Sequence, residues 1–545
     1  MNNESSAIRS THLSKNATLL AFTGIVCLLL LLPVALQVKR EYFGHFINRH
    51  APNPQWIGLS FPFILAALMI LVVYAGLSKS KEWADGERKF IVTLLALLVV
   101  LKFLLHHSAI VFLGEFAFAE AVFPFMHRLG DGAYALAASQ IEDGGEFLGE
   151  FQKRFLESER DPLTPHLETH PPGFILIFYG VQWLVDVFPG MGNWVEAQAV
   201  HASPILNETL AQASRETRLF RHALPTGVTV ALLCFLAASL VPVGVYLFSR
   251  EIAGRVASFV VASASALLPG WFSYNPGMDQ FLGVPALLMM LFAVRAVNRK
   301  SAFYGILFGL AMFVSFMLTL AFLVPLGMLF WCAVFCMTIS IRELESDWKE
   351  ILQQQIPAAV GALAGFLVPV VLFIALWDFN LLSVLMACQE NNAKFHQEYS
   401  GNYIVWSIRN VFEAFYSMGA PVSLAWLAVV LARTKTAWTE RSLRLSSSIF
   451  WGVNFCFLVL AISGVNRGEV ARIWGFLFPV LIASLAIAFD SLDDLLKDES
   501  GERKKCLFAL SVFFVLQALY VLIIRTNIDA QESAKFFYLI MGASS

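Results

Sequence analysis

Long apolar runs, separated by short polar segments, dominate the chain. Each run is 16 to 23 residues long and carries little or no charge, which suits a helix that crosses a bilayer. Lipid offers no hydrogen bonds to the backbone, so only helices or closed barrels can span it. The pattern predicts an all-α polytopic membrane protein with about 13 transmembrane helices. The runs are 19–38, 59–77, 91–113, 226–248, 256–271, 281–297, 302–317, 320–338, 357–377, 411–432, 447–464, 473–489 and 506–524.

The composition agrees with this pattern. Of the 545 residues, 58% are hydrophobic and 14% are charged, whereas soluble domains carry roughly 25% charged residues. The spans leave room for one large polar insertion and for no independent soluble domain, so we expect a single integral membrane domain over 1–545. A net charge of -2 gives no basic surface for nucleic acid. The seven cysteines form neither a disulfide framework nor a metal-binding CxxC pair.

The basic residues of the short loops predict the orientation. With a cytoplasmic N-terminus, the inner segments hold 21 Lys and Arg residues and the short outer loops hold 7. The run 19–38 lacks a small-residue cleavage site and is interpreted as a retained anchor. We therefore expect a multi-pass protein of a bacterial inner or plasma membrane, with its functional face outside the cytoplasm.

One shorter apolar segment, 174–188, affects this orientation. It is flanked by Pro171, Pro172 and Pro189, and if it crossed the membrane once, every later loop would change sides. It is therefore predicted to lie along the outer interface or to dip in and return, with a short additional span as the alternative. Residues 114–225 then form one extracytoplasmic loop with juxtamembrane helices, inserted between the third and fourth spans.

Residues 130–144 of this loop contain a candidate general base. Asp131 precedes Tyr134, an alanine-rich stretch and Gly144, a pattern that predicts a juxtamembrane helix with a carboxylate at its start. Such a carboxylate could deprotonate an acceptor hydroxyl. The alternative is that Asp131 only caps the helix.

The Thr169–Gly173 turn, with sequence THPPG, contains a second candidate. Its two prolines fix the backbone and remove two N–H donors, so His170 is presented rigidly where a lipid headgroup would lie. We predict contact with a phosphate, and a purely structural turn is the alternative.

Four charged residues of two later outer loops complete the candidate site. Asp279 begins an apolar helix, where it either caps the helix or has a function. Arg467 and Arg472 lie on the outer side with Glu469 between them, and two guanidinium groups suit a phosphate. Snorkelling or an ion pair with Glu469 is the alternative for the arginines.

Polar residues also occur in the outer loop 378–410 and inside the third span. Amide and aromatic side chains of the loop, together with His396, suit the hydroxyls and faces of a sugar, although an ordinary solvated loop would look similar. Lys102, His106 and His107 of the third span are predicted to face the bundle interior, where they are paired or line a cavity.

The acidic segment, the HPP turn and the many spans resemble the GT-C superfamily of membrane glycosyltransferases, in particular its protein O-mannosyltransferase and lipid A aminoarabinose transferase branch. Asp131, Tyr134 and Gly144 match the family's acidic–aromatic–alanine pattern, and His170 matches its HPP turn. The resemblance covers residues 114–255 by motif and the remainder by architecture. Where the family often has a second acidic residue, this chain has Gly132, so a divalent metal is unsupported and no cofactor is predicted.

The resemblance implies transfer of a sugar from a polyprenyl-phosphate donor to a glycan, lipid or protein acceptor. Asp131 would be the base. From sidedness and charge rather than from the family motif, we expect Arg467 and Arg472, together with His170, to hold the donor phosphate, and Asp279 and Glu469 to orient the sugar or the arginines. Tyr134 and His396 would contact or orient the sugar or the acceptor. The other functions we consider are a transporter or flippase of a lipid-linked glycan and a membrane glycan polymerase or ligase. No nucleotide-binding motif is present, which disfavours an ATP-driven pump.

Overall fold

The computed structural model describes most of the chain as helix. The described residues are 56–80, 88–108, 121–126, 131–156, 167–202, 223–273, 276–344, 348–397, 403–440, 447–463, 470–490, 492–496 and 501–527. No strand occurs among them. The first predicted span, 19–38, lies outside this set.

In chain order, the helices comprise those before residue 223, which include the helices of the predicted extracytoplasmic loop 114–225, called the outer segment below, and then those that follow. The first group comprises α1 (Trp56–Ser78), α2 (Arg88–Ser108), α3 (Gly132–Ser139), α4 (Gly144–Phe151), α5 (Gly173–Val187) and α6 (Pro189–Ala202). The bundle comprises α7 (Ala223–Ser249), α8 (Arg255–Ala266), α9 (Pro269–Ser273), α10 (Gly283–Arg299), α11 (Ala302–Leu318), α12 (Leu323–Leu344), α13 (Trp348–Trp377), α14 (Leu381–Gln397), α15 (Tyr403–Met418), α16 (Ala420–Glu440), α17 (Ser448–Ser463), α18 (Val470–Ile473), α19 (Phe478–Ser484), α20 (Leu492–Leu495) and α21 (Gly501–Asn527).

Many of these helices can cross a membrane. Within the described residues, eight helices are long and apolar enough, and ten are if each of two sharply bent pairs forms one span. Three shorter apolar helices, Ala302–Leu318, Ser448–Ser463 and Phe478–Phe489, accompany them. The chain is thus an all-helical polytopic membrane protein, and the number of 13 spans stays a prediction.

The segment 174–188 is the first half of a bent pair. Helices α5 and α6 meet at an angle of 104°. The break falls at Pro189, which lacks an N–H and disfavours helical geometry in the residue before it. A sharp bend after 15 residues is the geometry of a segment that dips in and returns, or of a broken span.

Four hydrogen bonds join predicted inner segments to one another or to the end of a predicted span. The contacts are Arg503 Nη2 to the Ser78 carbonyl at 2.5 Å, Gly254 N to Asp490 Oδ1 at 2.7 Å, Arg295 Nε to Glu251 Oε1 at 2.7 Å and Arg433 Nη2 to the Ile487 carbonyl at 2.7 Å.

Glycines let α11 and α13 pack backbone against backbone. A Cβ atom added at Gly305 or Gly309 would lie 2.3 or 2.2 Å from a carbonyl oxygen of α13. A Cβ atom added at Gly361 or Gly365 of α13 would likewise lie 2.2 Å from a carbonyl oxygen of α11. Because lipid supplies little hydrophobic force between helices, such close small-residue contact is a main source of their association.

We predict that Gly309→Ala destabilises the protein by about 1–3 kcal/mol, because the methyl group must displace the backbone of α13 rather than a side chain. Thermal unfolding in detergent measures the effect. Gly180→Ala is the matched control, since a Cβ there has no atom within 4 Å, and equal stability of the two variants would contradict the prediction.

Candidate functional site

Asp131 directs its carboxylate away from the helix that it precedes. Its side chain makes no capping hydrogen bond to α3. Instead, Oδ2 accepts a hydrogen bond of 2.9 Å from the backbone N–H of Met278, 147 residues away. The capping alternative is therefore wrong for Asp131. By contrast, Asp143 caps α4 through Gly145 and Glu146.

Asp279 lies next to this hydrogen bond and forms an ion pair with Arg472. It belongs to the 3₁₀ turn Met278–Leu282, and its Oδ2 is 3.2 Å from Arg472 Nε. The two side chains are 29% and 33% exposed, so the pair is partly open to its surroundings. Three segments that are distant in sequence thus bring two carboxylates and a guanidinium together.

The HPP turn adds His170 beside Tyr134. Their ring centroids are 6.2 Å apart with an edge-to-face angle of 86°, and Tyr134 also contacts Phe174 at 5.4 Å. Gly173 permits this placement, because a Cβ there would lie 2.4 Å from the Met317 carbonyl oxygen at the end of α11. Among the described residues, the buried Nδ1 of His170 has no hydrogen-bond partner.

Two opposing influences set the protonation of Asp131. Removal from water raises the pKa of its carboxyl to about 7, and the charge of Asp279 acts in the same direction. The Met278 N–H and the Arg472 guanidinium oppose this rise in pKa. Asp131 therefore exchanges its proton near neutral pH, which suits general acid–base chemistry.

His170 and Tyr134 remain uncharged in this environment. Burial, assisted by Arg472, lowers the pKa of His170 to about 4, while a hydrogen bond with the Leu318 backbone acts in the opposite direction. Burial and the two nearby carboxylates hold the pKa of Tyr134 well above its usual value. A phosphate contact by His170 at neutral pH would thus be a neutral hydrogen bond and not an ion pair.

The remaining predicted site residues are not part of this cluster as described. Arg467 and Glu469 lie outside the described residues. His396 falls in α14, but its side chain is also outside the description. Residues 378–410 were predicted to be a loop. In the structure they are largely helical and contain α14 and the start of α15.

One amide of α14 has a structural partner. Asn391 Nδ2 donates to the carbonyls of Leu156 and Glu168 at 3.1 and 3.2 Å. These bonds tie α14 to the outer segment. The Asn391 amide, one of the groups predicted to suit sugar hydroxyls, therefore donates its hydrogen bonds to two backbone carbonyls.

Sequence reasoning missed the Met278 backbone N–H. Backbone donors carry no residue signature, and only the break in helix before Met278 indicates an available N–H. For a metal, the described residues include no group of three or more His, Cys, Asp or Glu side chains that could hold one.

Comparison with protein-family models and with curated proteins finds no match for this chain. The resemblance to GT-C glycosyltransferases therefore stays a prediction, and any function must be argued from the cluster itself.

We predict that Asp131→Asn raises the apparent melting temperature at alkaline pH. In the folded protein the pKa of the Asp131 carboxyl is raised from 3.8, its value in water, to about 7, so its stabilising contribution is complete below about pH 4 and is lost as pH rises through about 7. Asparagine keeps an acceptor for Met278 and cannot ionise, so its advantage should be largest at about pH 8 and vanish toward about pH 4.

Thermal unfolding across this pH range measures the difference between the variant and the wild type. Asp143→Asn, the same exchange at an exposed helix cap, controls for the loss of one charge. A constant difference between Asp131→Asn and wild type at every pH would contradict the assigned protonation.

Proposed function

We propose that the protein is a membrane glycosyltransferase that uses a polyprenyl-phosphate-linked sugar at the extracytoplasmic face. The observation that carries this proposal is the meeting of Asp131, Asp279 and Arg472, with Asp131 titrating near neutral pH. A carboxylate base beside a guanidinium is what transfer from a phosphate leaving group requires.

The chemistry needs one proton acceptor and one anion-binding group. An acceptor hydroxyl attacks the anomeric carbon of the donor while its proton passes to Asp131. The bond between the anomeric carbon and the phosphate oxygen breaks, and the lipid phosphate leaves with the bonding electrons. Negative charge develops on that phosphate, so a nearby cation stabilises the transition state.

Arg472 is proposed as this cation, together with Arg467 as a sequence-based expectation. A guanidinium has five N–H donors in a fixed fork, and the ion pair with Asp279 involves Arg472 Nε. Asp279 thereby orients the guanidinium. Because the pair is about one third exposed, an incoming phosphate could approach it without first displacing a packed core.

His170 and Tyr134 are proposed to form a neutral wall of the site. Both are held uncharged at neutral pH, so neither competes with Asp131 for the acceptor proton or with Arg472 for the phosphate. Because the other ring nitrogen of the neutral His170 hydrogen-bonds to the Leu318 backbone, the unpartnered Nδ1 can accept a hydrogen bond from a hydroxyl.

The position of the cluster supports an interfacial enzyme. The cluster is built from the predicted outer segments, whereas the predicted inner segments contact one another elsewhere. The two substrates of such a transfer, a lipid phosphate and an acceptor group, meet at the membrane boundary.

We predict that Asp131→Asn lowers sugar transfer from a polyprenyl-phosphate donor by about 10²–10⁴-fold, the usual contribution of a general base. In the wild type, the rate should rise with pH through about 7 and then level off, because only the ionised carboxylate accepts a proton. Asp279→Asn should move this rise to lower pH, since a charge that raises the Asp131 pKa is removed.

Radiolabelled sugar transfer by purified protein, measured against pH, tests both effects. The amount of folded protein is checked by size-exclusion chromatography. Full activity of Asp131→Asn would sink the assignment of Asp131 as the base.

We predict that Arg472→Glu weakens donor affinity, because a carboxylate in place of the guanidinium repels the lipid phosphate. The expected effect is at least about tenfold in the apparent KM for the donor, since a charge-assisted hydrogen bond is worth about 1.5–3 kcal/mol. Lys153→Glu reverses a charge at an exposed position of the predicted extracytoplasmic loop that carries Asp131 and is the control. Equal donor affinity in both variants would remove Arg472 from the phosphate site.

A further inference from the structure

A lysine is completely buried inside helix α2. Lys102 is 0% exposed and lies six residues before Ser108, which is about 9 Å along the helix axis from its outer end. Its Nζ has no hydrogen-bond partner among the described residues. As predicted, Lys102 and His106 face the bundle interior, whereas His107 is exposed.

The Lys102 ammonium faces an indole that also has an unsatisfied donor. Nζ lies 5.1 Å from the centroid of the Trp271 ring. Trp271 is 3% exposed, and its Nε1 has no acceptor within the described part of the chain. Next to them, His106 stacks on Phe272 with centroids 4.4 Å apart. The Lys102 ammonium and the Trp271 indole N–H are thus two buried donor groups surrounded by apolar and aromatic side chains.

The cation–π contact alone cannot stabilise this charge. Such a contact is worth about 2 kcal/mol when desolvated, whereas burial of an ammonium ion costs several kcal/mol. A deprotonated amine would remove that cost but would still leave two donor groups to be satisfied. An anionic oxygen that accepts from both groups would offset the charge and satisfy the donors together.

We propose that the Lys102 ammonium and the Trp271 indole N–H form an anion site, separate from Arg472, that binds one phosphate group. Lysine is a common phosphate ligand that acts as a point charge, and the indole contributes a second, neutral donor. The phosphate comes from an anionic lipid headgroup or from free phosphate. The site does not depend on glycosyl transfer and would remain if the chain transferred no sugar.

The position of this anion site connects it to the Asp131 cluster. The Trp271 carbonyl accepts a hydrogen bond of 2.9 Å from Gln280 Nε2, and Gln280 directly follows Asp279. This hydrogen bond links the segment that carries Trp271 to the turn that carries Asp279. A charged group reaching it would enter from the outer end of α2, because the inner end lies farther along the same helix.

Phosphate-dependent stabilisation of the purified full chain tests the proposal, since a ligand that binds only the folded state raises the unfolding temperature with its concentration. Sodium phosphate is titrated against sodium chloride at equal ionic strength. The wild type should be stabilised more by phosphate, and Lys102→Met should weaken the apparent phosphate affinity at least about tenfold. Lys89→Met, the same exchange at an exposed position of α2, should leave it unchanged.

A second variant keeps the test independent of how Lys102→Met folds. Trp271→Phe retains an aromatic ring and removes the N–H, so it should also weaken phosphate binding. The proposal is overturned if neither inorganic phosphate nor phosphatidic acid stabilises the wild type more than chloride does, or if both variants respond to the stabilising probe like the wild type.

Phosphatidic acid in the detergent micelles separates the two sources of the phosphate. Stabilisation by this lipid that requires Lys102, without an effect of inorganic phosphate, assigns a headgroup. Stabilisation by inorganic phosphate assigns a soluble ligand. If neither probe stabilises the protein through Lys102, the anion site is wrong.

Discussion

The need to satisfy every backbone polar group within lipid governs this structure. A continuous helix satisfies its own backbone N–H and C=O groups, so the groups freed at a break in a helix need partners from other segments. Side chains of other segments satisfy these breaks: Asp131 accepts from the Met278 N–H, and Gln517 of α21 donates to the carbonyls of Leu267 and Met418. Asp131 and Asp279 accordingly lie at interruptions between helices.

Hydropathy predicted the helical class and most helix positions, because apolar runs of bilayer length have few other solutions. It did not predict α14 and the start of α15 within 378–410, because these residues contain no continuous apolar run of bilayer length. The bend of 114° between α15 and α16 was also missed. It depends on Gly419, which adopts a φ of +86° and packs against Gln517 of α21, and such a long-range contact has no local signature.

Asp279 and Arg472 were found because charges at outer helix ends are exceptions to the composition around them. Their pairing was one of two roles expected of Asp279, which was predicted to orient either the sugar or the arginines. For Asp131, local spacing favoured a helix cap, and only the fold brings Met278 within hydrogen-bond distance. Likewise, His170 is neutral because it is buried, and its burial cannot be read from the sequence.

The glycine contact between α11 and α13 also limits how lipids can approach the outer segment. The end of α11 supports the HPP turn through Met317, and the end of α13 packs through Trp377 against Gly145 and Gly149 of α4. With their backbones in direct contact at these glycines, the two helices leave no lateral opening there. A lipid chain therefore cannot pass between them at this level and must approach the cluster from another side of the bundle.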